Sequence, residues 1–360
     1  QVVDVSAPQS PQLIAEFGSP QTVNRIAVRG GTCYMGGSEA TLVADVTTPS
    51  TPRLVSTLGG PVFGLDVSDR LMVTSERSID GPSIHLFDIS DPAPSPIMDE
   101  FDTGHSVLCS ELAGSTLFVG HLPNTLTLLD VADPSAVQTL ATYTLPDIPR
   151  DIRVVNSRAY VAAGDGGLEI LDVSDPADPH WIGGYSPGRF VWSVDVEGTV
   201  ATIIDDIGLE TLNVSNPLFT SRYKRLTIFG DSKNVRMRGG YAYVTDSTKE
   251  LRVFDITDPA NPSLSLEWDD PRVSGERLVL GDGLAVMSLV GSGSHEMLLL
   301  DFSAPPEPEV VGTFVAEQAP VVYDLDGDSL VLGRASTGNS LRGELVDISD
   351  PAMPESLGLW

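Results

Sequence analysis

Four arginines stand out in a chain with few cations. The sequence sets 21 Lys and Arg against 50 Asp and Glu, a formal net charge of −29, and only three residues, Lys224, Lys233 and Lys249, are lysine. Yet Glu111, Arg153, Asp195 and Arg236 follow one another at intervals of 42, 42 and 41 residues, alternating in sign. A second series two residues earlier holds Arg25, Asp151 and Arg277. His105, Arg150, Arg189, Phe190, Trp192 and Lys233 lie just upstream of these positions. Arginine offers a planar fork of donors to carboxylates and other anions, and an aromatic ring offers a flat apolar face. Brought together, Arg25, His105, Arg150, Asp151, Arg153, Trp192, Arg236, Arg277 and Tyr323 would make an anion or sugar site. The competing reading is that the arginines neutralise Asp66, Glu111, Asp151, Asp195 and Asp324, because buried charges need partners.

A second chemistry is suggested by DLDGDS at 324–329, where Asp324, Asp326 and Asp328 alternate as hard oxygen ligands for calcium. The bidentate Glu of an EF-hand loop does not follow, and an Asp-rich turn has an ordinary structural use. Catalytic signatures are absent: no GxSxG elbow, HExxH, Walker loop or CxxC pair occurs, so no catalytic residue and no cofactor other than calcium is expected. Five histidines, His85, His105, His121, His180 and His295, show no ligand spacing. Cys33 and Cys109 fall in non-neighbouring repeats, so free thiols are expected.

The elements that must position these residues are written as a repeat. LEILDVSDPADP at 168–179 and LRVFDITDPANP at 251–262 are the clearest copies, with weaker ones around Asp4, Asp45, Asp88, Asp130, Asn213, Asp301 and Asp347. Successive anchors are 41, 43, 42, 42, 41, 42, 46 and 46 residues apart. A period near forty with strand-like content predicts an all-β fold, a β-propeller with one blade of four antiparallel strands per repeat.

One copy predicts the blade in detail. DIRVVN alternates as a first strand, Asn156-Ser157 turns, RAYVAA returns, and Asp165-Gly166-Gly167 hands over to LEILDV. Leu168 and Ile170 point one way, Leu171 and Val173 the other, so this third strand is buried on both faces. SDPADP ends it, since Asp175 is held extended before Pro176 and its carboxylate can accept free amides. HWIGGY is the outer strand. Eight inner pairs but nine outer pairs can be counted. The expected organisation is an outer hairpin at 1–17 and an eight-bladed propeller at 18–360. The hairpin either completes the last blade or is the remnant of another.

The phrases LEILDVSDPADP, LRVFDITDPANP and IHLFDISDPAPSP resemble the LVIVD repeat of bacterial and archaeal secreted and surface proteins. The resemblance implies a propeller in an extracellular or cell-surface setting, with a binding or scaffolding role. The sixth copy departs from it, with Asn213 and Asn216 in place of both Asp.

Composition narrows the partners. Phosphate neutralisation needs clustered Lys and Arg, so nucleic acid is disfavoured. No stretch is apolar and long enough to span a bilayer, so no membrane insertion is expected. A dense acidic surface is soluble and self-repelling, which predicts a monomer or weak oligomer. The expected function is a non-enzymatic interaction module for a protein or polysaccharide. The alternatives are a hydrolase or lyase using Asp151, Arg150, His105 and Tyr323 at the channel mouth, and a structural spacer in a surface assembly.

Overall fold

The computed structural model describes residues 99–133, 135–228, 234–245 and 251–268; elsewhere it describes 2–4, 12–15, 18–19, 23–29, 31–37, 40–45, 53–59, 62, 64–67, 71–75, 84–89, 278–280, 284–290, 295–301, 309–316, 320–326, 329–334, 341–347 and 355–359. These residues are almost wholly β: seven four-stranded sheets, one five-stranded sheet and one hairpin, all antiparallel. The chain divides into two units, one of residues 77–83 and 101–270, the other of 1–76, 84–100 and 271–360.

The first of these units carries the candidate site and is built from four blades. Blade A comprises Val107–Ala113, Thr116–His121, Thr125–Asp130 and Gln138–Thr144; blade B comprises Asp151–Val155, Arg158–Ala162, Leu168–Asp172 and His180–Tyr185. Blade C comprises Val191–Glu197, Val200–Asp205, Gly208–Asn213 and Ser221–Thr227; blade D comprises Asn234–Arg238, Tyr241–Thr245, Leu251–Asp255 and Ser263–Trp268. The innermost strand of each is followed by its neighbours in order, outward to a free edge.

The predicted two-faced burial is what joins the blades. Leu171 and Val173 of blade B pack with Phe118, Leu126 and Leu128 of blade A. Leu168 and Ile170 face the other way, onto Val194, Ile203 and Leu212 of blade C. Ile204 and Leu209 of blade C then pack with Val244 and Phe254 of blade D. Each fully buried Leu, Ile or Phe contributes about 1.5–3 kcal/mol, so the stacking of sheets is the main stabilising force.

Turn chemistry recurs with the repeat. Asp172 Oδ1 accepts the Ser174 N–H at 2.9 Å and its hydroxyl at 2.6 Å, and Asp175 Oδ1 accepts the Ala177 N–H at 3.0 Å. Asp255 and Asp258 do the same in blade D. In blade C, Asn213 Oδ1 receives Ser215 N–H at 3.0 Å, so the amide makes the same turn as the carboxylate. The Ser174 hydrogen bonds hold the Asp172 carboxyl below the usual carboxylate range, and the Asn261 side-chain amide, with the Ala260 N–H, does so for Asp258. Opposite the third strand, shortly before this anchor, each outer strand carries one extra residue, Leu140, Ile182, Tyr223 and Ser265, a bulge that adds twist to it. Asn156 and Ser157 both have positive φ, 51° and 57°, as a two-residue hairpin turn requires.

The second unit repeats the plan. Val23–Arg29 opens a four-stranded sheet that runs to Arg53–Gly59, and its Tyr34 and Val43 share a core with Met72 and Phe87 of the following sheet. In the sheet begun by Pro320–Asp326, the strand Leu341–Asp347 pairs with both Gly18–Ser19 and Glu355–Leu359. Val2–Asp4 and Gln12–Ala15 pair with each other as a separate hairpin.

Candidate functional site

The alternating column of the first unit is a bonded ladder. Arg153 Nη1 lies 3.1 Å from Glu111 Oε2 in blade A, and Arg153 Nε lies 3.4 Å from Asp195 Oδ1 in blade C. Asp195 Oδ2 in turn accepts the Met237 N–H of blade D at 2.6 Å. A second rung centres on Asp151. Its Oδ2 accepts the Ser193 hydroxyl at 2.6 Å, the Val194 N–H at 3.3 Å and Arg236 Nη1 at 3.3 Å, while Oδ1 accepts the Ile152 N–H at 3.1 Å. Each link spans one or two repeats, so the innermost strands of four blades are tied by charge as well as by packing. The partners that the neutralising reading supplies for Arg153 and Arg236 are in place. With both oxygens occupied by donors, Asp151 is not a free base.

Arg150 is different. It stands one residue before the innermost strand of blade B, and its N–H donates to Ala162 O at 2.8 Å. Its guanidinium carbon lies 5.1 Å from the ring centre of Phe190 and 5.1 Å from that of Trp192, both of blade C's leading segment. The two rings are 4.5 Å apart at 45°, and the Trp192 indole N–H donates to Asp206 Oδ1 at 2.9 Å. Among the described residues no carboxylate pairs with this guanidinium, and its Nε is buried without a hydrogen-bond partner. The two terminal nitrogens are the donors left for a ligand.

Local backbone explains the clamp. Gly164 O accepts the Val191 N–H at 2.9 Å, so the end of blade B's second strand anchors both Arg150 and the segment bearing Phe190 and Trp192. Gly164 has φ +52°, and a Cβ there would lie 3.0 Å from the Phe190 ring and overlap the Asp147 carboxylate. Glycine is therefore required for the ring to approach.

The remaining expected residues stand on other elements. His105 is exposed and stacks on His121, centroids 6.2 Å apart. His121 is buried, with Nε2 2.9 Å from Thr127 Oγ1, and burial pushes its pKa below the usual histidine value. Cys33 and Cys109 form no disulfide, and burial raises the Cys109 thiol's pKa. Arg25 lies in the strand Val23–Arg29; Tyr323, Asp324 and Asp326 lie in Pro320–Asp326. Arg277 and Asp328, and with Asp328 the full calcium set, lie outside the described residues. Among the described residues no three His, Cys, Asp or Glu side chains gather as a metal set, and no helix is long and apolar enough to cross a membrane.

Two features escape a reading by column. Glu210, wholly buried in blade C's third strand, pairs with Arg225 and accepts the Tyr185 hydroxyl of blade B at 2.7 Å. The outer strand Ser221–Thr227 reads SRYKRLT, the densest run of cations in the chain. The signal was a charge inside an apolar strand in one case and a local excess of Arg and Lys in the other.

Comparison with known proteins agrees with this architecture. No curated protein matches the sequence. The computationally designed Ika8 protein superposes with a TM-score of 0.71 at 9% identity, over 96% of this chain and 99% of that one. Sqt1 of Chaetomium thermophilum, solved bound to the N-terminus of the ribosomal protein L10, gives 0.65 at 12% identity, over 95% and 98%. The β-propeller domain of Cps50 (Swd1) from Myceliophteria thermophila gives 0.57 at 11%, over 92% and 98%. The model of the LVIVD repeat matches residues 149–186 and 229–270, which contain blades B and D. With two segments matching the LVIVD-repeat model, mostly four-stranded antiparallel sheets among the described residues and propellers as its structural likenesses, the chain is a β-propeller that carries LVIVD repeats.

Proposed function

We propose that this chain is a non-catalytic interaction module of the extracellular space or cell surface, and that it grips a carboxylate-bearing segment of a partner protein through Arg150. One observation carries the reading. In a chain of net charge −29, Arg150 lies over two adjoining aromatic rings with no carboxylate partner among the described residues. An arginine kept apart from abundant carboxylates, with its stem and plane fixed, is preorganised for an incoming anion. Arginine and tryptophan are also the side chains that most often dominate binding energy. Sqt1, a propeller of similar fold, was solved with the N-terminus of another protein bound. A polysaccharide is the weaker occupant, because a sugar needs a bare aromatic face and Arg150 already covers both rings.

The test is affinity capture from native secreted and surface material, using the whole chain beside an Arg150→Ala/Trp192→Ala variant. The expected result is a stoichiometric protein partner with the first bait and its loss with the second. A partner retained by the variant, or a turnover activity that the variant abolishes, would overturn the reading.

A further inference from the structure

The outer edge of blade C breaks the charge pattern of the molecule. Its strand Ser221–Thr227 carries Arg222, Lys224 and Arg225 within four residues. The outer strand of blade A has no charged residue, that of blade B only His180, and that of blade D only Glu267, which is paired with Arg252. Arg225 is committed to buried Asp205 and Glu210. Arg222 reaches toward Tyr185 and Glu210 on the blade B side, and remains about half exposed. Lys224 pairs in register with Thr211, whose hydroxyl donates to Pro259 O on the blade D side. The Lys224 ammonium has no partner among the described residues. Cations therefore flank this edge on both faces of the sheet.

Apolar side chains gather at the same place. Phe219 is 76% exposed and Leu218 64%, the two most exposed large apolar residues among those described, and Tyr223 on the strand itself is 37% exposed. Leu218 and Phe219 sit on the 3-10 turn Pro217–Phe219, which leads into the strand. That turn rests against blade B's outer strand at Gly183, where a Cβ would overlap the Pro217 carbonyl. A patch of aromatic and arginine side chains beside an unpaired strand edge has the composition of an interface rather than of a solvated rim.

Edge charge is also a defence, since lysine on an outer strand rejects pairing with another edge of like charge. The defence is selective. It repels a second copy of the same strand and favours a strand of opposite charge. We infer that the outer strand of blade C is a docking edge for an extended acidic segment of a partner protein, added as a further strand. Backbone hydrogen bonds would give affinity, and side chains alternating to both faces would meet Arg222 on one side and Lys224 on the other. The apolar end of the segment would cover Phe219 and Leu218.

The inference is independent of the Arg150 site, and the controls keep the two apart. The probe is a fluorescein-labelled peptide of repeated Glu-Glu-Val-Val, which presents acidic and apolar residues on both faces, measured by fluorescence anisotropy against the whole chain. Saturable binding is expected, weakened roughly fivefold by Lys224→Glu and at least about tenfold by Arg222→Glu/Lys224→Glu. The same fivefold loss with Lys224→Glu should persist in an Arg150→Ala/Trp192→Ala background, where any hold of the first site on the peptide's carboxylates is gone. The same peptide with every backbone amide N-methylated, which keeps its charge but has no N–H on either edge, should not bind. The Lys224 side chain is exposed and the hydrogen bond from the Thr211 hydroxyl is to its backbone carbonyl, so its single variant stands even if the double variant folds poorly. Equal binding by Lys224→Glu, equal binding of the methylated peptide, or disappearance of the Lys224 dependence in the Arg150→Ala/Trp192→Ala background would each overturn the inference. So would concentration-dependent dimers abolished by Lys224→Glu, because the occupant would then be a second copy.

Discussion

Arg150 and Arg153 stand three residues apart at the start of one blade and end in opposite circumstances. Arg153 is locked between Glu111 and Asp195 of the two flanking blades, and its Nη1 also donates to Ile152 O at 2.9 Å. Arg150 lies over Phe190 and Trp192 with no carboxylate in reach among the described residues. The same side chain thus performs two tasks, and position relative to the strand decides which. A residue whose side chain leaves the inner strand alternates with those of neighbouring blades and finds opposite charge. A residue one step before the strand meets only the leading segment of the next blade, which is aromatic.

The contrast can be broken first at Arg153. Arg153→Ala leaves two partly buried carboxylates without their cation, and should cost about 2–3 kcal/mol in urea unfolding, a discounted figure because the groups retain some solvent. Arg150→Ala should cost less than about 1 kcal/mol, the size of a cation–π contact, while weakening the partner's Kd roughly thirtyfold. Arg236 extends the ladder rather than the clamp. Asp151→Asn should therefore lose about 1–2 kcal/mol, through the Ser193 and Arg236 hydrogen bonds, and leave partner binding intact.

Gly164→Ala sharpens the comparison from the backbone side. It should cost about 1–2 kcal/mol through its φ of +52° and displace Phe190, lowering affinity without touching Arg150 itself. The smallest effect is a titration. Burial holds His121 below 6.5, so the unfolded chain takes up the proton first. Stability is fully present above pH 6.5 and falls as pH drops through the folded pKa. The slope in chemical denaturation between pH 7 and 5 should flatten in His121→Gln.

Much of blade B was legible from its sequence because each level agreed. The alternation of DIRVVN, the turn at Asn156-Ser157 and the two-faced LEILDV all point to the strands observed at 151–155, 158–162 and 168–172. The ladder was legible too, since a strict period of about 42 residues converts sequence spacing into neighbouring positions. The clamp was legible only as a group of residue types upstream of the strands. Its geometry depends on Gly164, a glycine with nothing local to mark it, and on Asp206 fixing the indole from another turn. The basic edge of blade C was overlooked because a bulge at Tyr223, opposite Thr211/Leu212, interrupts its alternation, so the faces of Arg222 and Lys224 follow from the register alone.

The most direct test of the account is the affinity of the captured partner for folded Arg150→Ala and Arg150→Lys chains, each with its thermal midpoint. The account predicts that both lose binding to a similar degree at nearly unchanged midpoints, because lysine keeps the charge but neither the fork nor the stacked plane. Binding as tight as that of the unmodified chain, or a midpoint that falls as far as that of Arg153→Ala, would contradict it and return Arg150 to the structural ladder.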